Sequence, residues 1–396
     1  MQKAKALLIL SLGLMVISTI FGQDSQALLE SYLRNFDKAD LPTKLELIQD
    51  AAKRNNAALA PLFKYTIDFV VNKSSRGKNE SILRQLCHIA VEQVEAFKYT
   101  EARWLVWQLF LAEADTNIKI KSLKALAVLA SGDKIIIQNL NVWLANQISA
   151  FKAGQKPELS VILRCVLTLG ELGDESSFVV IFNTIIASFT QEISDTAQKI
   201  LIKLKGNFKE LIVSIINTGS IREKKEILII ALAAESLNEK EKAEIAELAL
   251  DDALRSSSVQ QRELKDIREI RVLSNRALST YKRKEATKLI LQYFEVALVE
   301  YEKGLISKPD LLEIFRCLGN MEGAEAAQKL TDYLALLNLY TEQKKVYDEQ
   351  IVIETINSLG RLGQKLAFDV LMNVRFLPYN ATIKNKADEA LQSIKW

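Results

Sequence analysis

Apolar residues recur at three- and four-residue spacing along most of this chain, the pattern of helices that bury one stripe and wet the other. The stripes run over Leu45–Ala52, Pro61–Val71, Ile82–Ala90, Ala102–Ala112, Ile118–Leu129, Ile135–Phe151, Val161–Leu172 and Phe178–Phe189. Taken two at a time, they predict antiparallel helix pairs joined by short polar links. From about Asp195 to Glu300 the helical period continues, but its punctuation is weaker. There, Asn238-Glu239-Lys240-Glu241-Lys242 reads as a charged hinge. Two further units run from Pro309 to Leu339 and from Gln350 to about Ile394.

A phrase returns within this pattern. An apolar stripe closes on Leu-Gly, a second glycine follows, and another stripe begins. It reads Leu169-Gly170-Glu171-Leu172-Gly173, Leu318-Gly319 with Gly323, and Leu359-Gly360-Arg361-Leu362-Gly363. Gly319 and Gly360 are 41 residues apart, as are Gly132 and Gly173. A fixed period of that size predicts a stacked array of helix pairs. Glycine suits the left-handed residue that commonly ends a helix, and its small size lets neighbouring helices approach. One pair cannot bury both of its faces, so stacking is what builds a continuous core.

At these residues the chain resembles HEAT repeats, in particular the HEAT-like type of phycobiliprotein lyases. The likeness is strongest at Leu163–Asp174 and extends to Ile118–Asp133, Arg316–Gly323 and Ile353–Gly363. It implies an all-α fold, an alpha-solenoid of roughly eight or nine antiparallel helix pairs covering 41–396. It also implies a surface that docks other proteins. The aspartate and arginine rows that line some HEAT arrays are not regular here.

Composition agrees with helices. The chain has 14 glycines and 5 prolines in 396 residues, well below the usual ~7% and ~5%. Pro42, Pro61, Pro157, Pro309 and Pro378 mostly precede apolar runs, where a first helical turn accepts proline.

The beginning of the chain has a different character. Lys3 and Lys5 precede 16 uncharged residues, Ala6 to Phe21. That is a positive region followed by a short apolar one, the form of an export signal with cleavage after Gly22. It is short against the ~20 residues of a membrane-spanning helix. Residues 1–22 are therefore expected to be a signal peptide and 23–40 an amphipathic cap or tether. The protein is expected outside the cytoplasm, in the periplasm if bacterial, touching a membrane only if its N-terminus is retained.

Removing Lys3 and Lys5 from the 52 basic residues leaves 50 against 49 acidic ones. A nucleic-acid binder would carry a basic excess. The expected partner is instead an envelope or periplasmic protein.

Little in the chain points to catalysis. His88 is the single histidine, so histidine-rich metal sites have too few ligands. A serine triad would have to use His88, and no Gly-x-Ser-x-Gly elbow is present. His88 is expected at a core or boundary position. Some HEAT-repeat proteins are iron hydroxylases that need several His-Glu pairs, whereas here Ile89 follows His88. Cys87, Cys165 and Cys317 are widely spaced in apolar stretches and read as small core residues. No catalytic, metal or cofactor residue is expected. The alternative reading is a lyase-like HEAT enzyme or assembly factor acting on a cofactor-bearing protein, which would need paired carboxylates or a reactive thiol. Asn72, Asn79 and Asn380 fit the glycosylation pattern, which is common by chance.

Two clusters carry the candidate contacts. Phe97, Tyr99, Trp104, Trp107 and Phe110 form the densest aromatic group. They read as core or, with Trp104 and Trp107 three residues apart, as a binding hot spot. Arg262 to Lys284 is rich in cations with interleaved acids. It reads as a charge-laced exposed helix or as a basic face. The residues singled out as partner contacts are Trp104, Trp107, Arg268, Arg271 and Arg283.

Overall fold

The computed structural model describes residues 25–72, 80–258, 260–321 and 323–395. The expected export signal lies outside these residues, as does most of the polar loop after Asn72. The described chain is all α-helix apart from short 3-10 turns and connecting loops, and it forms two compact units that meet between Leu204 and Lys205. Each is a helical-repeat solenoid.

The first unit contains α1 (25–38), α2 (Leu41–Lys53), α3 (Ala60–Val71), α4 (Glu80–Ala96) and α5 (Arg103–Ala112). It continues with α6 (Thr116–Leu129), α7 (Lys134–Lys152), α8 (Leu159–Leu172), α9 (Phe178–Ala187) and α10 (Gln191–Lys203). The even helices α2 to α10 lie side by side in one layer, and α3, α5, α7 and α9 form a second layer over them. Phe63, Leu86, Phe110, Leu140, Val166 and Ile181 are buried in its core.

Side-chain caps start several of these helices. Asp40 caps α2 by accepting from the Thr43 N–H, and Pro42 occupies the first turn. Asp115 caps α6, Asp133 caps α7 and Thr190 caps α10. Each such cap is worth about 1 kcal/mol.

The second unit contains α11 (Lys209–Thr218), α12 (Ile221–Ala233), α13 (Glu239–Arg255), α14 (Gln261–Tyr281) and α15 (Thr287–Glu302). It ends with α16 (Lys308–Asn320), α17 (Ala324–Glu342), α18 (Glu349–Leu362), α19 (Phe368–Phe376) and α20 (Ala381–Gln392). Again the even helices α12 to α20 make one layer, with α13, α15, α17 and α19 over it. Phe294 and Phe315 meet edge to face at 5.1 Å in the core.

The repeated glycines divide their labour differently from the sequence expectation. In two of the three phrases the second glycine terminates the helix, Gly173 and Gly363 being left-handed C-caps with φ of 65° and 60°, whereas Gly323 stands just before α17 with φ of 141°. The first lies inside the helix and sets the spacing of the even layer. A Cβ on Gly319 would fall 2.9 Å from the Ser358 backbone of α18, and one on Gly170 would fall 2.7 Å from Ile200 Cδ1 of α10.

The middle of the chain lacks this punctuation because other residues begin and end its helices. Asn238 is not a hinge. Its side chain accepts from the Glu241 N–H while Glu241 reaches back to the Asn238 N–H, a capping box that starts α13. Ser220 and Glu223 do the same for α12.

Candidate interaction surface

The two layers of the first unit meet solvent with opposite chemistry. Ion pairs lace the even layer: Arg84 with Asp115 at 3.2 Å, Lys121 with Glu92 at 2.8 Å and Lys119 with Glu158 at 2.6 Å. In the odd layer α3 carries Lys64 and Asp68, but the other three helices carry almost no charge along their length. α5 has none after Arg103, α7 has none between Ile135 and Phe151, and α9 has none at all.

These three helices are neighbours. Phe110 of α5 packs on Trp143 of α7 with ring centroids 5.0 Å apart, and Asn141 of α7 donates to Ser176, just before α9. Their N-termini are tied at one end of the layer. Arg103 holds Asp133 at 2.6 Å, and Lys134 holds Asp174 at 2.5 Å. Asp133 and Asp174 are also cap residues, so one carboxylate both starts a helical turn and joins it to the preceding odd helix. The Lys134 hydrogen bond, followed by that of Ser176, lowers the Asp174 pKa below its ordinary value.

On the solvent side stand Trp104 and Leu111 of α5, Ile135 and Val142 of α7, and Val179 of α9. Trp104 and Leu111 are seven residues apart, as are Ile135 and Val142, so each pair is a two-turn apolar stripe. Gln108, Gln138 and Asn146 are the exposed polar residues between them, and none is ionisable. A contiguous exposed apolar patch rimmed by polar residues is the form of an interaction site.

The sequence candidates divide on this surface. Trp104 is 38% exposed and belongs to it. Trp107 is only 8% exposed and packs on Phe110 at 5.5 Å, so it is core and is corrected as a contact residue. A helix turns 300° in three residues, which is enough to place Trp104 outside the edge of the stripe that buries Trp107.

Among the arginines, Arg271 is likewise corrected. It is buried, donates twice to the Ala253 carbonyl and pairs with Glu300 at 2.9 Å. Desolvation raises the Glu300 pKa, against the pull of Arg271. Arg283 is fastened to Glu247 at 2.8 Å, with Glu244 and Glu285 nearby. The basic run thus spends Arg271 and Arg283 in its own unit. Many of its pairs reach other helices instead of forming along α14: Lys225 holds Asp266 at 2.5 Å and Arg276 holds Asp310 at 2.7 Å. Arg268 alone of the three predicted arginines makes no direct ion pair; it lines an open groove in the second unit, and its charge acts on Glu300 from there.

The residues singled out for chemistry are structural. His88 is exposed, where a core or boundary position was expected, with its Nδ1 2.6 Å from the Lys121 ammonium. Desolvation, then the Lys121 charge, lowers its pKa from 6.5. None of the three cysteines is in a disulfide and all are buried, and burial pushes the Cys165 and Cys317 thiols far up. Asn380 caps α20 and donates to Glu349 at 2.8 Å. Among the described residues no group of His, Cys, Asp and Glu could hold a metal, and no helix is long and apolar enough to cross a membrane.

No protein-family profile matches this chain, and no curated protein does. One solved structure, described as "A conserved phosphorylation switch controls the interaction between cadherin and beta-catenin in vitro and in vivo", aligns over 93% of this chain and 96% of its own at 12% identity. Its TM-score is 0.32, a likeness that carries no argument.

Proposed function

We propose that this protein is a non-enzymatic scaffold that docks a protein partner on the uncharged outer face of α5, α7 and α9. One observation carries the reading. Three adjacent helices expose Trp104, Leu111, Ile135, Val142 and Val179 with no charge along that face, while the opposite layer is laced with ion pairs. A helix layer presents such side chains from an ordered backbone, which limits the ordering cost of binding, and covering the surface each aliphatic one still exposes favours association. Trp104 has the size and amphipathic ring that concentrate binding energy.

The buried thiols and the Lys121-bound histidine support the non-enzymatic part of the reading. The helix pairs are read as HEAT-like from their glycine phrases. The positive and then apolar start of the chain supports export, to the periplasm in a bacterium.

The test is affinity capture after crosslinking in intact source cells, comparing the native protein with Trp104→Ala and Val142→Lys. The reading expects one or a few envelope proteins with the native chain and their loss with either variant, both folded. Equal recovery by all three proteins contradicts the proposed face.

A further inference from the structure

The second unit holds an open groove of about 640 Å³ along the solvent side of α14. Its floor is one stripe of that helix, Lys265, Arg268, Glu269, Val272, Leu273 and Arg276. Ile229 of α12 forms one wall, and the 304–310 segment with Leu305 and Ile306 forms the other. The volume is in the ~300–1,000 Å³ range of ligand sites.

The charges along the groove are settled with one exception. Glu269 is held by Lys225 at 3.2 Å and Lys265 at 3.8 Å, and Asp310 is held by Arg276 at 2.7 Å. Among the described residues no carboxylate lies within 4.0 Å of the Arg268 guanidinium. Next to it stand Val272, Leu273, Leu305 and Ile306, half-buried or exposed. The groove therefore presents, beside an aliphatic wall, a planar cation that makes no direct ion pair, although its charge, with that of Arg271, acts on the buried Glu300.

We infer that this groove binds an extended segment of a protein partner that carries an acidic side chain flanked by aliphatic ones. A carboxylate matches the guanidinium fork with two parallel hydrogen bonds. The aliphatic neighbours then lie on Val272, Leu273, Leu305 and Ile306. Lys265 to Arg276 spans about 16 Å of helix, the length of about five extended residues. This site is in a different unit from the α5–α7–α9 face and does not depend on it.

The test uses the full-length protein on an immobilised library of pentapeptides blocked at both ends. The inference expects enrichment of peptides with one Asp or Glu flanked by Leu, Ile or Val. Arg268→Gln lowers their signal by about tenfold or more, the effect of losing a charge-assisted hydrogen bond. Leu305→Asp lowers it as well, while Trp104→Ala leaves it unchanged. Arg268 makes no ion pair to lose and Leu305 is exposed, so both variants are expected to fold, and circular dichroism checks this. An absent acidic preference, or one that persists in Arg268→Gln, overturns the inference. So does stronger binding of a matched library with free carboxyl ends, which would make the occupant a chain terminus. Partner capture that is unchanged by Trp104→Ala, with these peptide results intact, would instead count against the scaffold face alone.

Discussion

At the residue scale, the two tryptophans of α5 show how a single helical turn separates packing from contact. Trp107 →Ala removes a buried ring and is expected to cost about 3–5 kcal/mol, read as a lower denaturant midpoint. Trp104→Ala is expected to change stability much less, because more than a third of the residue already faces water. Similar costs for both would mean that Trp104 is also core. The single histidine offers a second test. Its folded pKa is depressed, so the unfolded chain binds the proton more readily. The stability it contributes is complete above the unfolded pKa, near 6.5, and falls as pH drops below that value. The lone imidazole resonance should titrate with a midpoint under 6.5 and move towards 6.5 in Lys121→Ala. A midpoint at or above 6.5 contradicts the Lys121 contact. The tryptophan pair was visible in the sequence, but which of the two was buried was not, because spacing fixes only their mutual angle.

At the element scale, the glycine phrases were legible and their roles were not. A sequence shows that a position must be small or left-handed, but it does not show which requirement acts. Gly319 faces the Ser358 backbone, which cannot rotate away, whereas Gly170 faces only side-chain atoms, Cδ1 and both γ-carbons of Ile200. Gly319→Ala should therefore lower stability by about 1–3 kcal/mol and more than Gly170→Ala does. The reverse order in thermal unfolding would show that the even layer is not fixed at Gly319. The Asn238 capping box was also readable, since an Asn followed three residues later by Glu opens a helix. The lysines between the acids obscured it. Asn238→Ala should cost about 1 kcal/mol.

The same scale explains why the candidate face went unnoticed. The charge-free run from Ile135 to Phe151 stands in plain sight, but it reads as an ordinary buried helix until the neighbouring helices show which side stays wet. Ile135 is 63% exposed, a value that no periodicity predicts. The basic run of α14 misled in the opposite direction. Its cations looked available because their acidic partners, Glu300, Asp310 and Glu247, are distant in sequence.

At the scale of the whole molecule, a nearly balanced charge of 52 basic and 49 acidic residues is distributed unevenly over the surface. Ion pairs join one repeat to the next, and the first unit leaves the outer face of α5, α7 and α9 uncharged. The helical stacking was readable from period and composition, since each repeat repeats the same burial problem. The partner was not readable, because a docking surface is defined by what remains exposed after folding. The export reading predicts that protein isolated from its native source begins at Gln23, a mass that intact-protein spectrometry measures. A mature chain beginning at Met1 contradicts it.

The scaffold face itself is tested most directly by placing a photo-crosslinking amino acid, one position at a time, at Trp104, Ile135, Val142 and Val179, with Gln85 and Lys124 of the charged layer as controls. Irradiation in the native cells is predicted to give the same discrete adduct from the four odd-face positions and none from the controls. Adducts from the controls alone, or none from any of the four, would contradict the account.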